Sequence, residues 1–177
     1  GLWFCFGCGA KGNWESFEEQ FKNGTVGGQT EISVKTINDY HSALMSNTFV
    51  LEYIRKHRLW DDAVLKAYKI GWNGYRITIP ITNEKGDYVN IRLYDLMHQF
   101  DDGNKVQSYI TGKGSAKIWP VENVRQKDII ILEGEPDTIL GLSLGLPVIT
   151  FTTGAATMAV PLLKELKGKS IHILYDN

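Results

Sequence analysis

Two cysteines and five prolines among 177 residues give this chain little covalent or conformational bracing. Thiols at positions 5 and 8 alone cannot staple a disulfide framework, so the fold must rest on apolar packing. No apolar run approaches the ~20 residues that a bilayer requires, and no basic-then-apolar leader opens the chain. A soluble protein in a reducing cytoplasm, away from membranes, is expected. His41, His57, His98 and His172 stand apart from one another, none at metal-ligand spacing. A net charge of −1 excludes a uniformly basic surface.

Apolar residues make up 43% of the chain and aromatics 11%, enough to bury a core in one domain or two small ones. The charge is unevenly spread. Basic against acidic residues number 3 against 5 over 1–50, 11 against 8 over 51–117, and 4 against 6 over 126–177. A mildly basic middle followed by an acidic end suits a polyanion and a metal ion sharing one cleft. The chain opens at Gly1 rather than Met and stops at "IHILYDN", where an apolar run has just reached an acid; a piece of a longer protein is expected.

"GLWFCFGCGAKGNW" alternates aromatic and small residues around Cys5 and Cys8 and reads as a short hairpin over 1–14. The pattern weakens over 15–45, where "NGTVGGQTE" reads as linker. Residues 46–58 and 61–70 carry helical spacing, with Asp61 as an N-cap. "YRITIPITNEKGDYVNIRLYD" alternates, turns and alternates again, which predicts a hairpin with one buried face and Arg76 and Arg92 on the polar phase. From 126 onward, "DIIIL", "PVITF" and "SIHILYD" are short apolar runs separated by helical segments, the first with Pro136 near its start and Gly145 as its stop. Strand, helix, strand, helix, strand predicts an α/β, Rossmann-like parallel sheet covered on both faces.

Within that sheet, "DIIILEGEPDT" runs four apolar residues into three carboxylates, Glu133, Glu135 and Asp137. Ligands of parallel α/β sheets gather beyond the C-terminal strand ends. Glu133 ends the first run and Asp176 ends the third. Carboxylates brought to one rim repel unless a cation joins them, and hard oxygen ligands favour Mg²⁺ or Mn²⁺. Acidic loops at strand ends are also common without metal. Cys5 and Cys8, in a Cys-x-x-Cys, fit half of a structural zinc site or a redox pair; Gly9 and Gly12 after them favour a knuckle over the helix that follows redox pairs.

"LEGEPDTILGLSLGLPVITFTTGA" followed by "ILYDN" resembles the Toprim domain, whose pattern is Glu-Gly-x-x-Asp after one strand and Asp-x-Asp after a later one. "GYRITIPITNEKGDYVNIRLYD" resembles the Arg-x-x-x-Pro-Ile hairpin preceding Toprim in bacterial-type DNA primases and phage primase-helicases. "NKVQSYITGKGSAKIWP" is similar to their next Lys- and Tyr-containing stretch, and "WFCFGCGAKGN" to the second knuckle of their zinc ribbon. With the Toprim match, these three further matches stand in family order along most of the chain.

The resemblance implies half a zinc ribbon over 1–14, a linker over 15–45, a small basic α+β subdomain over 46–125 and an incomplete Toprim domain over 126–177. It implies a DNA primase that makes short RNA primers on single-stranded DNA from ribonucleoside triphosphates, beside a fused or separate replicative helicase. Glu133 and Asp176 would be catalytic metal ligands, the second aspartate following Asn177. Asp137 would join the metal shell or cap the helix. Arg76, Arg92, Lys105, Lys117 and, with a one-residue shift, Lys113 would meet phosphates, the alternative for each being solvated charge. Cys5 and Cys8 would hold Zn²⁺ in the full-length protein. With the zinc site and the acidic pattern both cut short, the fragment alone is expected to be inactive. Other implied classes are a Toprim nuclease or topoisomerase-like enzyme, and an inactive DNA-binding relic.

Overall fold

A computed structural model describes residues 2–4, 11–13, 32–97, 105–109, 117–152 and 160–175. Cys5, Cys8, Lys113 and Asp176 lie outside the described residues. At the amino end, β1 (Leu2–Phe4) and β2 (Lys11–Asn13) pair antiparallel, Leu2 opposite Asn13.

The first helix, α1 (Val34–Met45), lies inside the stretch that composition assigns to linker. Ser33 starts it by accepting from the Thr36 amide at 3.0 Å, and Ile37, Tyr40 and Leu44 repeat at helical spacing. α2 (Thr48–His57) begins at Asn47, whose side chain accepts from Val50 N. α3 (Asp62–Ala67) begins at Asp61, whose carboxylate accepts from the Ala63 amide. The two helices read at 46–58 and 61–70 are therefore present with shorter bounds, and Asp61 is the cap.

A four-stranded antiparallel sheet follows: β3 (Gly71–Trp72), β4 (Ile77–Thr82), β5 (Tyr88–Tyr94) and β6 (Val106–Ser108), in that spatial order. The β4–β5 register sets Ile79 opposite Arg92 and Thr78 opposite Leu93. Residues directly opposite share a face. Ile77, Ile79 and Ile81 thus lie on the face of Arg92 and Asn90, while Ile91 and Leu93 lie on the other. The single buried face expected of this hairpin is replaced by two. Ile77, Ile79 and Ile81 join a core with Leu51, Ile54, Trp60 and Ile139, and Ile91 and Leu93 pack with Ile37 of α1. Covering one face with α1 buries the second phase, and Arg92 is drawn inside with the isoleucines.

The second sheet holds β7 (Ile118–Trp119), β8 (Asp128–Leu132), β9 (Val148–Phe151) and β10 (Ser170–Leu174), ordered β10-β8-β9-β7. β10 and β9 flank β8 in parallel; β7 adds antiparallel to β9, so part of the 46–125 segment belongs to this sheet. One face is covered by α4 (Glu135–Ser143), where Gly141 abuts Val148, and the other by a 3-10 segment (Val160–Leu166) whose Leu166 packs with Ile129, Ile131 and Ile149. Pro136 sits in the first turn of α4, and Gly145 takes φ +72° after it.

The sheets share material. Ile139 of α4 and Trp119 of β7 are buried in the core of the first sheet, Tyr68 meets Trp119 edge-on at 5.5 Å, and the Asp61 amide donates to Ser143 Oγ at 2.9 Å.

Candidate active site

Glu133 stands one residue past β8, exposed, at the carboxyl edge of the parallel strands. Leu174, the last residue of β10, pairs with Leu132, the last of β8, so both chains leave the sheet at the same rim. Tyr175 comes next, and burial together with the nearby Glu133 charge raises its hydroxyl pKa. The Glu133 carboxylate is thus within electrostatic reach of the residue preceding Asp176.

Three acids alternate in environment along this loop. Glu133 and Asp137 are exposed, whereas Glu135, the first residue of α4, is only 3% exposed. Its Oε1 accepts from Arg92 Nε at 2.9 Å, and Arg92 Nη1 donates to Ser108 Oγ at 2.6 Å. Burial raises the Glu135 carboxyl pKa; the Arg92 charge opposes the rise and the Asp137 charge adds to it. Desolvation outweighs the arginine's pull even at contact distance. A carboxylate at a helix N-terminus also gains from the exposed amides there. Gly134 occupies the N-cap position, where it has no side chain to bond the helix amides, and Asp137 stands in the first turn of α4, exposed, with its Oδ2 beside Gly134.

Arg92 also lines a cleft of about 20 Å³ with Asn90, Ser108, Lys117 and Thr152. The Lys117 amide donates to Thr152 Oγ1 at 3.1 Å, tying the start of β7 to the carboxyl end of β9. Lys117 and Arg92 are therefore neighbours across the junction of the two sheets. A larger cleft, about 360 Å³, lies between the β4–β5 turn and the 3-10 turn at Val121–Arg125. It carries Glu84, Glu122 and Glu165 against Lys117 and Arg125, a charge balance unsuited to a polyanion.

The structure thus gathers Glu133, Asp137, Arg92 and Lys117 around one end of the second sheet. Lys105 is exposed three residues before Ser108, and its carbonyl accepts from the Asp95 amide. Arg76 is buried, 5% exposed, and has partners in the fold, as do Glu133 and Asp137. Among the described residues no three Asp, Glu, His or Cys side chains cluster as a metal cage. Exposed carboxylate oxygens at the rim, with Asp176 one residue beyond Tyr175, nevertheless suit a hard divalent ion by donor type. Glu135 and Ser108 are the parts of the site that sequence spacing did not single out. Glu135 was visible only as one of three acids in a row, and nothing in a linear reading pairs it with Arg92.

A parallel sheet with an acidic loop at its carboxyl edge follows an Arg-bearing antiparallel hairpin, and the fold is shared by solved structures of primase domains. The crystal structure of the Aquifex aeolicus primase, zinc-binding and RNA polymerase domains, superposes with a TM-score of 0.64 and 19% identity, covering 99% of this chain and 60% of that one. The DnaG primase catalytic domain bound to ssDNA gives 0.62 and 13%, over 80% of this chain and 58% of that one. The RNA polymerase domain of Mycobacterium tuberculosis primase DnaG, in complex with a double-stranded DNA oligomer with a 6-nucleotide overhang, gives 0.58 and 14%, over 78% and 60%. The chain spans about 60% of the length of these structures. No family model matches the sequence, and no curated protein matches it. Among the described residues no helix is long and apolar enough to cross a membrane.

Proposed function

We propose that this chain is the Toprim-containing part of a DNA primase, which joins ribonucleoside triphosphates into short primers on a single-stranded DNA template. The supporting observation is the rim itself. The parallel register Leu132–Leu174 sends Glu133 and Tyr175 off the sheet at one edge, and the Arg92–Glu135 bond ties the hairpin to that same acidic loop. A nuclease with the same acids has no need of an arginine-bearing hairpin fastened there, and this favours the primase over the Toprim nuclease or topoisomerase-like reading.

In this reading Glu133 and Asp176 hold Mg²⁺ or Mn²⁺, with Asp137 beside them. The ion, when bound, neutralises triphosphate charge and makes the 3′ hydroxyl more acidic. Arg92 and Lys117 offer donors to phosphate oxygens from the facing wall. Arg76 and Lys105, with Lys113, belong to the same basic subdomain; a buried Arg76 serves best by fixing the start of β4. Cys5 and Cys8 contribute to a zinc site that reads template in the full-length cytoplasmic protein, with a replicative helicase as partner.

The test is template-dependent synthesis by the full-length protein with Mg²⁺ and labelled ribonucleotides. Wild type should make oligoribonucleotides, and Glu133→Gln should lower the yield at least 100-fold without altering the fold. Equal yields would remove Glu133 from the chemistry.

A further inference from the structure

Arg92 is held at two points of its planar group, Nε to Glu135 and Nη1 to Ser108, while still lining the cleft it shares with Lys117. We propose that Glu135 is a positioning residue: it fixes the Arg92 guanidinium in one orientation so that the arginine meets a substrate phosphate without first having to be ordered. The identity of that phosphate, a ribonucleoside triphosphate, rests on the primase reading above; the role of Glu135 rests on geometry.

Three observations carry the proposal. Glu135 is turned away from the exposed acids on either side of it, so it does not share their work: its side chain is 4% exposed and its oxygen is committed to Arg92. The bond joins residues 43 apart, Arg92 on β5 of the first sheet and Glu135 at the start of α4, and fastens the hairpin to the first turn of the helix that follows Glu133. Finally, a guanidinium that is bonded through two of its nitrogens cannot swing, and a long side chain ordered in advance loses less freedom on binding than a free one. A buried ion pair is a poor device for stability alone, since an apolar pair of the same volume often does as well.

The opposite role is that Glu135 competes with phosphate for Arg92. The two roles predict opposite signs. In the full-length protein, binding of a fluorescent ribonucleoside triphosphate is measured with Ca²⁺ in place of Mg²⁺, alongside steady-state kinetics with Mg²⁺. Glu135→Gln keeps the shape and an acceptor oxygen, and circular dichroism and thermal melts verify its fold. Under the proposal, Glu135→Gln weakens binding about threefold to tenfold. Arg92→Ala weakens it by about tenfold or more, and the double variant is no worse than Arg92→Ala. KM rises in step while kcat changes less than about threefold. Arg92→Lys, which keeps the charge but loses the two-point hold, should bind as weakly as Glu135→Gln.

Unchanged or tighter binding by Glu135→Gln overturns the proposal, and so does wild-type binding by Arg92→Lys or a wild type that binds no triphosphate. If wild type binds triphosphate with this pattern but makes no primers, the primase reading fails and the positioning role stands. If wild type makes primers and Glu135→Gln binds normally, the reverse holds.

Discussion

At Gly71 the backbone of α1 lies almost against β3. A β-carbon there would fall 2.6 Å from both Thr78 Oγ1 and the Tyr40 carbonyl carbon, and 2.8 Å from the His41 amide nitrogen. Backbone cannot yield as a side-chain tip can, so Gly71→Ala should destabilise the fold by about 1–3 kcal/mol in urea titration. A cost near zero would mean that α1 docks more loosely than described. On the surface, Asp62 accepts two hydrogen bonds from Arg55, and these hold its carboxyl pKa below the ordinary 3.8. A depressed acid stabilises the fold above its unfolded value, and that contribution is lost as pH falls through the folded one. Asp62→Asn should therefore flatten the stability curve just below pH ~4 and change it little near neutrality, the pair being solvent-screened. Thermal melts across the acid range would show it, and an unchanged slope would contradict it.

At the scale of elements, the hairpin is where a linear reading met its limit. Alternation in "RITIPIT" and in "YVNIRLY" is plain, and both strands formed. Which phase faces which layer depends on the register across the turn, and that register put Ile79 opposite Arg92. The helix α1 carried a legible signal, a capping serine and three apolar residues at helical spacing, overshadowed by the glycine-rich stretch before it. Its partner face, Ile91 and Leu93, lies more than 45 positions downstream. The three parallel runs from 128 onward were legible because burial on both faces leaves unbroken apolar strings, and Pro136 and Gly145 mark the helix between the first two. The acidic rim was legible as composition. The Arg92–Glu135 bond, which gives the rim its shape, was not. α4 joins the layers through Ile139, which is fully buried in the first sheet's core. Ile139→Ala should cost about 2–5 kcal/mol by chemical denaturation, more than Ser143→Ala, which loses the bond from the Asp61 amide and the one to the Ile139 carbonyl, about 1 kcal/mol or less each. Similar costs would argue that α4 belongs to one layer only.

For the whole molecule, the consequence of Trp119, Tyr68 and Ile139 meeting in one core is cooperativity. The segments 32–97 and 117–175 should unfold together, with tryptophan fluorescence and far-UV circular dichroism giving one midpoint; two separated midpoints would show two independent units. Function depends on the same joining, because the hairpin's arginine reaches the acidic loop only if both sheets keep their places. On the function proposed above, Glu133 and Asp176 would jointly hold a divalent ion at the rim where β8 and β10 end. Anomalous diffraction from Mn²⁺-soaked crystals of the full-length protein measures this directly. A manganese peak about 2.0–2.3 Å from carboxylate oxygens of both residues is the predicted result; density bound to neither, or the two side chains directed to opposite rims, would contradict it.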